Sequence, residues 1–206
     1  WDRYGLRSKV GFSPISWLKI DNNLNIYQTK RALPNGNITD LYYLKPTDVA
    51  KNPDGTWANT AAGKLAAKLV DGGNNLQNMF GFQNITSATA LFLKGDLQLN
   101  ADASFKRELW KNQSNSKKYK IGYGPNDIRE EGGTGSVTEN NGYLFNNAFN
   151  IYSTYKKTLG DHFFSAMVGF NSEDYSYSTV NASKDILISS SLPYLSLTSG
   201  TATASA

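Results

Sequence analysis

At 206 residues the chain is long enough for one domain with a core, yet 39% of its residues are hydrophobic while 13% are aromatic, with 12 Tyr, 10 Phe and 4 Trp. So many rings exclude a disordered chain, and with no run near the roughly 18 apolar residues of a membrane-crossing helix, any passage through a bilayer falls to strands. The net charge of +4 has no block of like charges, which argues against a nucleic-acid arm, and the absence of Cys excludes disulfides and thiolate metal sites.

The chain opens at Trp1-Asp2-Arg3 in what reads as strand, without a leader, which implies a terminus made by processing or cleavage. Successive strand side chains point to opposite sides, so period-2 alternation is the signal to follow. Tyr4, Leu6, Val10 and Phe12 oppose Arg3, Arg7 and Lys9 in a first strand, which Ser13-Pro14-Ile15-Ser16 turns into the second. There Leu18, Ile20, Leu24 and Ile26 oppose Lys19, Asp21, Asn23 and Asn25, with Asn22 the exception. A long connection follows from Lys30 to Asn75. Within it, Thr60 to Val70 is predicted helical, with Leu65, Ala66, Leu69 and Val70 on one face, Lys64 and Lys68 on another, and Gly72 as C-cap. A loop carrying its own helix is ordered and functional by expectation.

A third, weaker strand runs from Leu76 to Leu93 and turns at Lys94-Gly95-Asp96. In the fourth the split is complete: Leu97, Leu99, Ala101, Ala103 and Phe105 against Gln98, Asn100, Asp102, Ser104 and Lys106. A second long connection, Arg107 to Asn141, contains Gly132-Gly133-Thr134-Gly135. Phe145, Phe149 and Ile151 then oppose Asn146 and Asn150. After a turn within Lys156 to Asp161, Phe164, Ala166, Val168 and Phe170 oppose Ser165, Gly169 and Asn171. The stretch from Ser178 onward reads as a third loop, ending in a low-complexity tail from Thr198 to Ala206.

The pattern predicts six strands of about 10 to 14 residues, joined alternately by short turns and long loops, as in outer-membrane barrels. A soluble β-sandwich shares the alternation, so it stands as the rival, binding glycans or acting as an adhesin. Strand length, the alternating loops and aromatics at Trp17, Tyr143, Tyr155, Phe163 and Phe164, where an interfacial girdle would sit, favour the barrel. The expected fold class is therefore all-β, an antiparallel transmembrane β-barrel segment with long extracellular loops. Leu18, Leu99, Phe105, Phe149 and Val168 are its expected lipid-facing residues.

Catalytic signals are weak. His162 follows Gly160-Asp161 at a turn, without the partners of a triad or a zinc site. Glu130-Glu131 and Glu173-Asp174 read as solvated loop acids before a glycosidase pair. Gly132 to Gly135 leads into no apolar helix, so it fails as a phosphate loop. No catalytic, metal or cofactor site is expected. The loop aromatics Tyr42, Tyr43, Trp57, Trp110, Tyr119 and Tyr123 are candidates for contact with substrate or partner, or for packing the loops together.

With these hairpins in place the chain resembles the SusC/RagA family of TonB-dependent outer-membrane transporters of Bacteroidetes. Phe12-Ser13-Pro14-Ile15-Ser16-Trp17-Leu18-Lys19-Ile20 is similar to that family's turn between two early barrel strands. Asn52-Pro53-Asp54-Gly55-Thr56-Trp57 and Leu69-Val70-Asp71-Gly72-Gly73 resemble its first long external loop. Tyr155 to Ser178 resembles a strand pair patterned on Gly, His, Gly, Asn or Glu, and Tyr, departing from it where Asp161 adjoins His162 and Asn171 follows Gly169-Phe170. The resemblance covers nearly the whole chain and carries no catalytic motif. It implies that residues 1–206 are part of a barrel of about 22 strands whose plug domain lies outside them. The parent would work with a SusD-like surface lipoprotein and the TonB complex, among outer-membrane lipid and the remaining barrel strands, to import an oligosaccharide or peptide.

Overall fold

The alternation is realised as one open sheet in the computed structural model, which describes residues 1–206. In chain order the elements are β1 (Asp2–Ile15), β2 (Leu18–Pro34), α1 (Ala61–Val70), β3 (Asn74–Phe92), β4 (Leu97–Ser116), β5 (Tyr119–Gly124), β6 (Asp127–Glu131), β7 (Ser136–Leu159), β8 (His162–Asp185) and β9 (Ala202–Ser205). Seven strands pair antiparallel in the order β1-β2-β3-β4-β7-β8-β9, and β5 and β6 form a separate hairpin. The fold is all-β. A sandwich needs a second large sheet facing the first, and none is present.

The six long strands are those anticipated, but they run from 14 to 24 residues, so that all except β1 exceed the length expected. Stretches such as Asn112–Ser116 and Thr138–Asn141, polar enough to read as loop, continue the ladder because the adjoining strands satisfy their backbone groups. The second loop accordingly shrinks to the span between β4 and β7 and contains β5 and β6. The tail is also not loop alone, since β9 pairs with Asn181–Lys184 of β8. The last turn shortens to Gly160-Asp161 between Leu159 and His162. Tyr143 lies opposite Ser178 in the loop half of β7, away from the turn where a girdle position was expected.

Each short turn is closed by one pair: Ile15 with Leu18, Phe92 with Leu97, Leu159 with His162. Leu18, Ala90, Leu99, Ser153 and Val168 form one row across the sheet. Measured from that row, the turn centres recede by about three residues per hairpin, so the strands are staggered.

Following the rows gives each face its composition. One face carries Leu18, Leu99, Phe105, Phe149 and Val168 together with Leu6, Val10, Phe12, Ile20, Ile151 and Phe170. The other carries Lys19, Asp21, Asp102, Lys106, Glu108 and Glu173, with rings interspersed. Asn22, the exception in the sequence, lies on the apolar face opposite Thr86. Its amide donates to Thr86 Oγ1 at 2.8 Å and to Asn84 Oδ1 at 3.3 Å, and the Asn84 amide donates back at 3.2 Å. The polar groups there are thus satisfied by one another.

Only 16 of 206 residues are buried, too few for the sheet to hold a core of its own. The apolar ones are Ala58, Ala62, Leu65, Ala67, Ala90, Ile121 and Val137, most of them in or beside the loops. Both long edges are open: β1 has no outer neighbour, and β9 covers only one end of β8. Three glycines on the polar face accommodate side chains from the neighbouring strand. The Tyr27 ring lies over Gly81 and the Tyr152 side chain over Gly169, while a Cβ at Gly142 would come within 2.5 Å of the Trp110 ring.

Candidate functional site: a ligand cleft at the loop end of the sheet

The first loop folds against the second. Thr60 caps α1, its Oγ1 accepting from the Gly63 amide at 2.9 Å and its hydroxyl donating to the Val49 carbonyl at 2.6 Å. Gly63 is required because any Cβ there would run into the Ala58 backbone. The buried face of α1 is Ala62, Gly63, Leu65 and Ala67, so that of the expected set Leu65 alone is buried and Val70 is exposed. Asp71, not the expected Gly72, is the C-cap, and Gly73 has a positive φ of 111°. The hairpin β5–β6 brings Ile121, fully buried, against this helix.

An ion-pair network locks the two loops together. Lys64 Nζ lies 2.8 Å from Glu131 Oε1 and donates to the Tyr123 hydroxyl at 3.2 Å. Tyr123 in turn donates to Glu131 at 2.6 Å, and the Arg129 guanidinium lies 4.4 Å from its ring centroid while pairing with Asp127 at 2.7 Å. The Lys64 and Tyr123 bonds hold the Glu131 carboxyl below its ordinary pKa, and Glu131 raises that of Lys64. Asp127 is held low by Arg129. The base of the first loop is tied to β4 through Asn35, whose side-chain amide donates to the Asn115 carbonyl at 2.7 Å, and through the Lys117 amide on the Gly72 carbonyl at 2.9 Å.

Between the loop base and the polar face lies a cleft of about 830 Å³. Its lining includes Arg31, Leu33, Asn75 and Ser116 from the polar-face side of the strand ends, Lys68 from α1, and Lys117, Tyr119 and Gly132 from the second loop. Gly132, at φ 102°, lets the Tyr119 ring lie close, since a Cβ there would stand 3.1 Å from it. Burial is the first cause raising the Tyr119 phenol above its ordinary pKa, and Glu131 the second. No acidic residue lines this cleft. A smaller recess of about 460 Å³ adjoins it, lined by Trp1, Gln77, Trp110 and Asn112 among others, and Arg31 borders both.

The structure separates the sequence candidates. Tyr42 and Tyr43 end a 3-10 turn and are 89% and 86% exposed, free of the cleft. Trp57 donates to Asp71 at 2.6 Å and packs the loop onto α1, with Lys51 4.6 Å from its ring centroid. Tyr123 belongs to the loop network and Tyr119 to the cleft. Trp110 is not in a loop. It sits in β4 on the polar face, stacked on Tyr177 at 5.5 Å, its indole donating to Asn140 at 3.0 Å. Arg31, Lys68 and Lys117 escaped the sequence reading because isolated cations carry no motif. The only available signal was that two of them flank loop ends. His162 is in the first position of β8, and no group of three or more His, Asp or Glu side chains is placed to hold a metal.

No family model and no curated protein matches the chain. Among solved structures it is similar to the RagAB peptide importer in a closed-closed state, with a TM-score of 0.72 and 18% identity over 98% of this chain and 24% of that one. A second structure, of the RagAB peptide transporter, gives a TM-score of 0.71 at the same identity and coverage. At this identity the likeness shows the fold. The chain spans about a quarter of the length of these neighbours.

Proposed function

We propose that this chain is a segment of the barrel wall and external mouth of a SusC/RagA-type outer-membrane importer, not an enzyme. The observation that carries the reading is the stagger of the sheet. Three residues per hairpin is about 10 Å along the strands for about 10 Å across two of them, which corresponds to strands inclined by about 45°. Closed membrane barrels incline their strands by about 35–45°. The likeness to the RagAB importer supports the same assignment.

On this reading the apolar face, with Leu18, Leu99, Phe105, Phe149 and Val168, meets lipid. The charged face lines the lumen, the short turns lie at the periplasmic side and the loops lie outside. A nutrient such as a peptide or oligosaccharide enters past the cleft. A SusD-like lipoprotein closes over the loop unit, where Tyr42 and Tyr43 offer uncovered rings. The polypeptide completing the barrel supplies the plug and its contact with the TonB complex.

The segment lacks Cys, which makes a single-cysteine scan of β4 in the complete protein direct. Leu99→Cys and Phe105→Cys, labelled with a fluorophore, should be quenched by nitroxide lipids. Gln98→Cys and Asp102→Cys should instead react with a water-soluble maleimide. Equal behaviour of the two sets would remove the membrane assignment.

A further inference from the structure

We propose that the cleft between the first loop and the sheet is a selectivity site for carboxylate groups on the imported substrate, a conclusion that rests on the importer reading above. Three cations from three elements, Arg31 of β2, Lys68 of α1 and Lys117 after β4, line one concavity. Each of the six ion pairs in the molecule involves other residues, and none of these three side chains donates a hydrogen bond. The contrast with the adjacent loop network matters, because there Lys64, Lys118 and Arg129 all face a carboxylate within 3.4 Å. Asp71, the acid nearest Lys68 in sequence, is taken up by the Trp57 indole at 2.6 Å. The site therefore gathers positive charge on a partly enclosed surface and leaves it without an internal counter-charge.

Like charges lining one cleft repel, and the arrangement gains stability when an anion enters. An Arg fork and two ammonium groups lining one cleft suit a carboxylate, which the fork can take bidentately. The Tyr119 hydroxyl adds a neutral donor to the same lining, while the Ser116 hydroxyl there is shared with the Ser136 hydroxyl at 2.9 Å. Arg31 also borders the neighbouring recess, so a ligand can place its carboxylate among the cations while its body lies along Trp110, Gln77 and Asn112. An indole with flanking amides fits a peptide backbone or a sugar ring equally, and the shared requirement is the carboxylate.

The test uses the complete transporter in detergent or liposomes, with insertion checked by heat-modifiable mobility. Three probes are compared: a short Glu-rich peptide, its amidated Gln counterpart of equal length, and an oligogalacturonate. The Glu peptide or the oligogalacturonate should bind at least about tenfold more tightly than the Gln peptide, a preference that fades as salt is raised. In Arg31→Gln/Lys68→Gln/Lys117→Gln the preference should collapse while the Gln peptide binds as before. Lys120→Gln, on the hairpin outside the cleft, should retain it. Which acidic probe responds identifies the source of the carboxylate. A preference absent from the wild type, or surviving the triple substitution, overturns the assignment while leaving import standing if the Gln peptide is still taken up. Failure of an inserted transporter to bind any probe would overturn both.

Discussion

Glu131 shows how one half-buried carboxylate can hold two loops in place. Its folded pKa lies below the ordinary 4.5, first through Lys64 and then through Tyr123, so its contribution is complete above that value and is lost as pH falls through the folded one. The raised pKa of Lys64 acts at the other extreme, being lost only as pH rises above the ordinary 10.5, and it plays no part in acid. Amide exchange in α1 and β5, taken relative to the intrinsic rate of free amides at the same pH, should therefore quicken below about pH 4.5. Glu131→Gln should quicken it already at pH 7 and flatten the acid dependence to what Asp127 and Arg129 retain; an unchanged profile would show the network to be inert. The two faces of the sheet differ in the same residue-by-residue way. Leu99→Arg should cost about 2–4 kcal/mol in a folding titration of the complete barrel, and Asp102→Arg much less, with equal penalties contradicting the lipid assignment.

At the scale of elements, the helix was legible because its apolar spacing begins right after Thr60, which the structure shows to be the N-cap, while the C-cap falls at Asp71, one residue before the Gly72 expected. Its buried face was not, because the face is chosen by Ala58 and Ile121, which arrive from separate segments. The β5–β6 hairpin was hidden by charge: Lys120, Arg129, Glu130 and Glu131 read as loop until partners are known. The long ladders of β7 and β8 were likewise obscured by Asn and Ser, residues that a strand wetted on both faces tolerates without apolar support. Leu65 is 8% exposed at the centre of the loop unit. Leu65→Ala should destabilise that unit by about 2–5 kcal/mol, seen as proteolysis of the first loop, while the sheet stays inserted. Thr60→Ala should act in the same direction by about 1 kcal/mol. Deleting Asn52 to Asp71 should strip the cover from Ile121 and impair uptake or lipoprotein binding with the barrel still assembled. Normal transport after that deletion would show the loop to be dispensable.

For the molecule as a whole, the alternation of turns and loops announced a barrel, whereas the cleft could not be announced, because it is made by cations far apart in the chain. The sheet leaves β1 and most of β8 with unpaired backbone groups along one side. In hydrocarbon each such group costs several kcal/mol, so the two edges together exceed a typical domain stability of about 5–15 kcal/mol. Residues 1–206 expressed alone and refolded into detergent should aggregate or remain protease-sensitive. A monodisperse, heat-modifiable monomer would contradict the need for further strands on both sides.

The glycines beneath Tyr27, Trp110 and Tyr152 bear on fidelity of assembly. Alternation penalises a strand that slips by one residue, since every side chain changes face. A slip by two leaves every side chain on its proper face, and in Asn- and Ser-rich ladders it sacrifices little else. The notches discriminate where alternation does not. Moving the pairing by two puts Met79 or Gln83 opposite Tyr27, Asn140 or Leu144 opposite Trp110, and Met167 or Asn171 opposite Tyr152. The first two replace empty space with a side chain under a ring, and the third crowds the Tyr152 Cβ, which stands 2.9 Å from where a Cβ at position 169 would lie. Three interfaces, β2–β3, β4–β7 and β7–β8, thus each carry a steric key that closes in one alignment, and a sequence whose polarity alone would permit neighbouring alignments is held to a single one.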